Sequence, residues 1–234
     1  MLSHSEENYL KVLLLITNGG AGSAGTNELA AHMDVKPATA NDMLKKLKEK
    51  KLVHYEKYEK TTLTSIGKKY AIEVLRKHRL WETFLYEKLG FTWDEVHEVA
   101  EQLEHVQSKK LIDKLDGFLH HPKFDPHGDI IPNLRGSITV PFKKTLADVA
   151  PGQRCKMVAV KDDSVSFLKH VVKLGLGINS SIKVLAKDEY NDTIQIERNG
   201  SKLNVTEEFA GNIFVACKNC VPGKPCSRNR CLIK

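Results

Sequence analysis

Two short stretches of this chain concentrate side chains that can hold a metal ion. The first is DEVHEVAEQLEH, Asp94–His105. Read as a helix at ~100° per residue, it places His97, Glu101, Glu104 and His105 on one face and Val96, Val99, Leu103 and Val106 on the other. Histidine and glutamate at three- and four-residue spacing are how helices project several ligands into one site. The same pattern also describes a charged surface with two incidental histidines. The second stretch, RKHRLWETFL, tips the balance by putting His78 and Glu82 four apart on another helical face. Two helices that each offer a His/Glu pair point to a dinuclear or two-site metal centre.

The rest of the chain must position these groups. Its 234 residues suffice for one large domain or two to three small ones. Net charge is +7 and the pI is near 9.0, which suggests a polyanionic partner. No apolar run approaches the ~18 residues of a membrane span, and the polar start lacks a signal-peptide core, so a cytoplasmic protein is expected.

The N-terminal third reads as helix 7–16, a flexible GGAGSAG break, helix 27–33 with Thr26 as its cap, and helix 37–50 with Pro37 in its first turn. Two short β-type runs, LVHYEKYEKTTLT, follow. Helix, turn, helix and hairpin is the winged helix-turn-helix plan, in which the second helix enters the major groove of DNA. Lys36, Pro37, Ala38, Thr39, Asn41 and Asp42 sit near its start, where small polar residues can approach base edges. Lys46 and Lys48 lie further along, suited to phosphates. Residues 36–69 hold ten lysines against four acids. The competing reading is an ordinary basic helix pair in a bundle.

Residues 65–89 read as one long helix carrying His78 and Glu82, and another helix spans roughly 108–119. Their apolar surface suits dimerisation. Residues 120–137, with three prolines and no periodicity, form a linker or a braced loop. From 138 the texture changes to short β-type runs, ITVPF, RCKMVAV, SIKVLAK, TIQIE, KLNV and NIFVA, with one helix at about 164–174. Such spacing suggests a small SH3-type barrel.

Taken together, RKHRLWE, EVHEVAEQLEHV and FDPHGDIIP resemble the diphtheria-toxin-repressor family of metal-dependent transcription regulators, in order and spacing, over about residues 4–216. The resemblance implies an α+β chain: winged helix-turn-helix DNA-binding domain (1–72), helical metal-binding and dimerisation domain (73–137), FeoA-like SH3 domain (138–216) and a basic tail (217–234). It implies a homodimer that binds double-stranded operator DNA when loaded with divalent metal and represses metal-uptake genes. It assigns His78, Glu82 and His97 to an ancillary metal site, and Asn8, Glu101, Glu104 and His105 to the primary one. Iron sensors of the family carry Cys at the position of Glu101, and manganese sensors carry Glu. At the position of Asn8 they carry Met and Asp respectively. Hard oxygen donors favour Mn²⁺, with Fe²⁺ as the alternative. Lys11 stands where some two-domain manganese sensors have a glutamate ligand, so their two-metal arrangement is not available as such. Relatives that complete the ancillary site from the SH3 domain do so near Ser164 and Phe167, which cannot ligate; Asp162 or Asp163 is the candidate substitute. His4, His120, His121 and His127 are expected to be structural or solvated.

Cys217, Cys220, Cys226 and Cys231 end the chain as C-x2-C-x5-C-x4-C among five basic residues and no acid. Four thiols could hold Zn²⁺ or an iron–sulfur cluster, or be the reactive thiols of a basic tail. Two other function classes compete with the repressor: a DNA-binding regulator that answers a non-metal ligand, and a two-metal hydrolase. The first leaves the His/Glu faces unexplained. The second lacks a nucleophile pattern and leaves the winged domain idle.

Overall fold

The computed structural model describes residues 2–56, 60–133, 144–162, 164–188 and 190–217. The expected strand ITVPF, Asp163, Cys220, Cys226 and Cys231 lie outside the described residues. The fold is α+β. The described residues fall into two compact units, one drawn from 1–85, 97–123 and 131–139, the other from 86–96, 124–130 and 140–234.

The first unit opens with helix α1, His4–Ile16, which Ser3 and Glu6 start as a reciprocal capping box. Leu10, Leu13 and Leu14 are fully buried and pack with Leu29, Ala40, Leu44, Leu47, Ala71 and Leu75. Each such leucine contributes about 1.5–3 kcal/mol by leaving water. Helix α2, Thr26–His32, is capped by Gly25, one residue before the expected Thr26. The reason is a β-bridge between Ala24 and Thr61, which keeps the chain extended up to Gly25. Helix α3, Pro37–Glu49, starts with proline at its first turn, where a missing N–H costs nothing. Strands β1, Val53–His54, and β2, Thr62–Leu63, pair antiparallel.

Helix α4, Ser65–Leu89, occupies the whole expected span. Gly67 lets it lie against β1: a Cβ there would stand 1.9 Å from the Leu52 carbonyl oxygen. Helix α5 covers only Val96–Leu103, shorter than the expected Asp94–His105. At its start Glu95 is taken up in a turn, accepting from the Thr92 amide at 2.8 Å. At its end Val106 N–H turns back to the Leu103 carbonyl (3.2 Å), because Ser108 must already cap helix α6, Lys109–Phe118. Glu104 and His105 therefore occupy a turn and not the helix proper.

The second unit is built on a five-stranded antiparallel sheet. Its strands are β3 (Arg154–Val160), β4 (Ser181–Asp188), β5 (Thr193–Arg198), β6 (Ser201–Thr206) and β7 (Ile213–Cys217), in the order β6-β5-β4-β3-β7. Bulges between Met157 and Ala159 and between Val184 and Ala186 bend two strands. Helix α7, Val165–Lys173, buries Leu168 and Val171 against the core around Met157, Ile182, Val184 and Ile196. The short helix α8, Glu207–Gly211, was not visible in the strand-rich sequence; Thr206 caps it, and Phe209 and Ala210 are buried.

Residues 124–130 form a braced loop within this unit. The Asp125 carboxylate accepts from the His127 and Asp129 amides. His127 meets the Trp93 carbonyl through Nε2, and Trp93 donates to the Pro126 carbonyl. Gly128, at φ +87°, would place a Cβ 2.0 Å from the Val158 carbonyl oxygen. His127 is thus tied into the loop through its amide and its ring.

Candidate metal centre

All seven expected ligands belong to the first unit, and they converge from α1, α4, α5 and the turn after α5. Helix α4 offers His78 and Glu82, both buried. His78 Nε2 lies 3.0 Å from Glu82 Oε1, and Glu82 Oε1 lies 3.3 Å from His97 Nδ1 on α5. The donor atoms of these three residues all fall within 4.8 Å of one another. Two imidazoles and a carboxylate at that spacing fit a divalent ion.

The expected primary set is brought together only in part. Glu104 has no exposed surface, and its two oxygens face different ways. Oε1 faces Asn8 and His105. With its amide oriented as the neighbours require, Asn8 donates to His105 Nε2 at 3.0 Å and to Glu104 Oε1 at 3.1 Å. Glu104 Oε2 instead meets His78 Nδ1 at 2.6 Å and Lys11 Nζ at 2.8 Å. Glu101 stands on the far side of that lysine, 3.1 Å from Nζ and 3.7 Å from His97 Nε2. Six side chains therefore close a ring: His97, Glu82, His78, Glu104, Lys11, Glu101 and back to His97. Asn8 and His105 hang from Glu104.

The electrostatics follow from this geometry. Burial disfavours the charged imidazole of His78, yet Glu82 and Glu104 on its two nitrogens outweigh burial and push its pKa up to about 9. The geometry favours a doubly protonated His78 ring, with a carboxylate oxygen at each nitrogen. Burial likewise opposes ionisation of Glu104, but His78 and Lys11 hold its pKa below the usual carboxylate range.

Two participants were not singled out as ligands or as partners of ligands. Glu7 is buried on α1, and its Oε2 lies 2.5 Å from His105 Nδ1, while Gln107 donates to its other oxygen at 2.9 Å. A carboxylate on one ring nitrogen fixes the tautomer and leaves Nε2 as the ligating atom. Lys11 is the other. The signal was present: His4, Glu7 and Lys11 recur at three- and four-residue spacing, so they share one face of α1. His4 itself stacks on His105, ring centroids 4.2 Å apart.

The expected DNA-contacting residues lie on and around the start of α3. Lys36, Pro37, Ala38, Thr39 and Asp42 are exposed, as are Lys46 and Lys48, while Ala40, Leu44 and Leu47 face the core. Asn41 is half-buried and accepts a hydrogen bond from Tyr55 after β1. Lys48 pairs with Glu56 at 2.6 Å and Lys45 with Asp42 at 3.0 Å. In the second unit, Asp162 accepts from the Ser164 amide and Ser164 caps α7.

Residues 1–60 match the family description "Iron dependent repressor, N-terminal DNA binding domain". Residues 64–133 match "Iron dependent repressor, metal binding and dimerisation domain", and residues 144–217 match "FeoA domain". An uncharacterized HTH-type transcriptional regulator from Methanocaldococcus jannaschii is 35% identical over 118 residues, covering 50% of this chain and 94% of that protein. A solved manganese-dependent transcriptional repressor in complex with manganese is 32% identical with a TM-score of 0.80, covering 91% of this chain and 99% of the other. The structure of ScaR with bound Cd²⁺ is 31% identical with a TM-score of 0.75, at 91% and 99% coverage.

Proposed function

Because this chain belongs to the iron-dependent repressor family of metal-dependent transcriptional regulators, we propose that it binds operator DNA as a homodimer when loaded with Mn²⁺ in preference to Fe²⁺, and thereby controls metal-uptake genes. The observation that carries this reading is the convergence of His78, Glu82, His97, Glu101, Glu104 and His105, from α4, α5 and the turn after α5, toward Asn8 of α1, a helix that packs with α3. We assign the ancillary site to His78, Glu82 and His97 and the primary site to Asn8, Glu101, Glu104 and His105. All of these donors are oxygen or nitrogen, with no thiolate or thioether, which favours a hard ion. The solved manganese complex of a similar chain supports the same lean. The cytoplasm, where operator DNA is found, is the compartment we assign; no helix among the described residues is long and apolar enough to cross a membrane. The boundaries 1–72, 73–137, 138–216 and 217–234 are our working division of the chain.

A bound divalent ion supplies a concentrated positive charge toward which the carboxylates and imidazoles can converge. The chain's own part is orientation. Glu7 holds His105 with Nε2 inward and Gln107 holds Glu7; Asn8, whose amide N–H faces His105 and Glu104, would turn its oxygen to the ion as the ligand from α1. Fixing α1 against the turn after α5 fixes the helix pair that presents α3. In a dimer the two α3 helices must lie one helical turn of B-DNA apart, about 34 Å, to read a two-fold site. Coupling of this kind is typically ~1–3 kcal/mol, or ~5–150-fold in DNA affinity.

The test is Glu104→Ala and His105→Ala, with operator affinity followed by fluorescence anisotropy with and without Mn²⁺. Each variant is expected to lose the metal-dependent gain in affinity while keeping the wild-type far-UV spectrum. Full metal stimulation in both would remove the assignment.

A further inference from the structure

One member of the ring, Lys11, is not a ligand at all. Lys11 is 4% exposed, and its ammonium lies 2.8 Å from Glu104 Oε2 and 3.1 Å from Glu101 Oε1. Both carboxylates are assigned to the primary metal site; on Glu104, Lys11 holds Oε2, while Oε1 faces Asn8 and His105. We propose that Lys11 is a tethered competitor cation: its ammonium takes the position between Glu101 and Glu104 in the metal-free protein, and a divalent ion must expel it to bring those carboxylates together. The inference rests on the assignment of the primary site made above.

The argument is one of charge and space. A lysine buried this deeply needs anionic partners, and the two carboxylates are what hold it. An ammonium donates hydrogen bonds and accepts none, so it cannot join a metal's donor set. It and a divalent ion therefore compete for one pair of carboxylates. Glu101 and Glu104 reach no common donor except through Nζ, and no direct contact between them closes the site in advance. Lys11 can leave because its four-carbon stem is flexible, and Glu101 is 45% exposed, so there is an open side to move toward. The effect is to raise the ion concentration at which the protein responds. A tight carboxylate site with no built-in rival would fill at trace metal. One with Lys11 in place fills only when the ion outcompetes a cation present at very high local concentration.

The experiment is calorimetric titration of Mn²⁺ into the metal-free full-length protein and its Lys11→Leu and Lys11→Ala variants. Both replacements remove the charge without offering a ligand, and their different sizes guard against one failing to fold. At least a tenfold tighter Mn²⁺ dissociation constant is expected, together with a lower melting temperature of the metal-free variant, because Glu101 and Glu104 lose their cation. Unchanged or weaker Mn²⁺ binding in a folded Lys11 variant overturns the proposal. Glu104→Ala in the same titration separates the two claims. If it binds Mn²⁺ as wild type does, the site assignment fails. If it loses binding while the Lys11 variants bind no tighter than wild type, only the role of Lys11 fails.

Discussion

At the scale of single residues, the metal-free centre stores a proton on His78. Its pKa of about 9 in the folded chain stands above the ~6.5 of an unfolded one. Burial works against that rise, and the two flanking carboxylates overcome it. A raised pKa means that the charged form stabilises the fold. That contribution is complete below pH ~6.5 and is lost as pH climbs through about 9. The melting temperature of metal-free protein is therefore expected to fall across this window. His78→Gln, which cannot charge, is expected to lie below wild type at pH 6 and to converge with it by pH 9.5. Parallel curves for the two proteins would show that His78 is not charged in the fold. That His78, Glu82, His97, Glu104 and His105 lie near one another was legible because ligand types recur at helical spacing. Lys11 was noticed only as a missing ligand, and Glu7 not at all. A search for donors passes over the cation that pairs with them and the carboxylate behind them.

At the scale of elements, periodicity located nearly every helix, and the ends were where it failed. An amphipathic pattern says which face is buried but not where a competing cap begins. Gly25 took the cap from Thr26 because of a bridge to Thr61, thirty-seven residues later in the sequence, and α5 ended early because Ser108 starts α6. Helix α8 was missed because five residues are too few for a period to show. Contact between elements was equally hidden, and Gly67 is an example. Alanine has the better helix propensity, so Gly67→Ala would stabilise an isolated helix. Here its Cβ would meet backbone at 1.9 Å, so α4 would have to move away from Leu52. A loss of at least ~2 kcal/mol is expected from this overpacking, read as a lower urea midpoint with unchanged slope. An unchanged or higher midpoint would mean that α4 and β1 are not held this closely.

At the scale of the whole molecule, charge gave less guidance than it first suggested. Five of the basic residues lie in the last 17 residues of the chain, outside those the structure describes, so the overall +7 says little about the α3 surface. The pairing of individual lysines is more informative. Lys48 pairs with Glu56, whereas Lys46 is exposed and makes no salt bridge among the described residues. Lys46→Ala is expected to weaken binding to all DNA sequences and to reduce the magnitude of the salt slope by about 1. Lys48→Ala is expected to do less. Anisotropy titrations at several salt concentrations measure both, and a larger slope change for Lys48 would reverse the docking implied here. The change in sequence texture near residue 138 marked where strands begin. It could not show that residues 86–96 and 124–130 pack within the second unit, because the bonds that place them there, such as Trp93 to Pro126, join segments with no shared pattern.

Helix α1 has one further consequence, for how such a chain can change by descent. Its polar face, His4, Glu7, Asn8 and Lys11, lines the metal centre, and its apolar face, Leu10, Leu13 and Leu14, fills the core of the DNA-reading helices. Inserting or deleting one residue in its first two turns would rotate the residues before it by ~100° relative to those beyond it. The buried leucines anchor the later turns, so His4 and Glu7 would be the residues that swing away from His105. On the site assignment proposed above, ion preference would be retuned by exchanging side chains at Asn8 or Lys11. It cannot be retuned by changing the length of the helix that carries them.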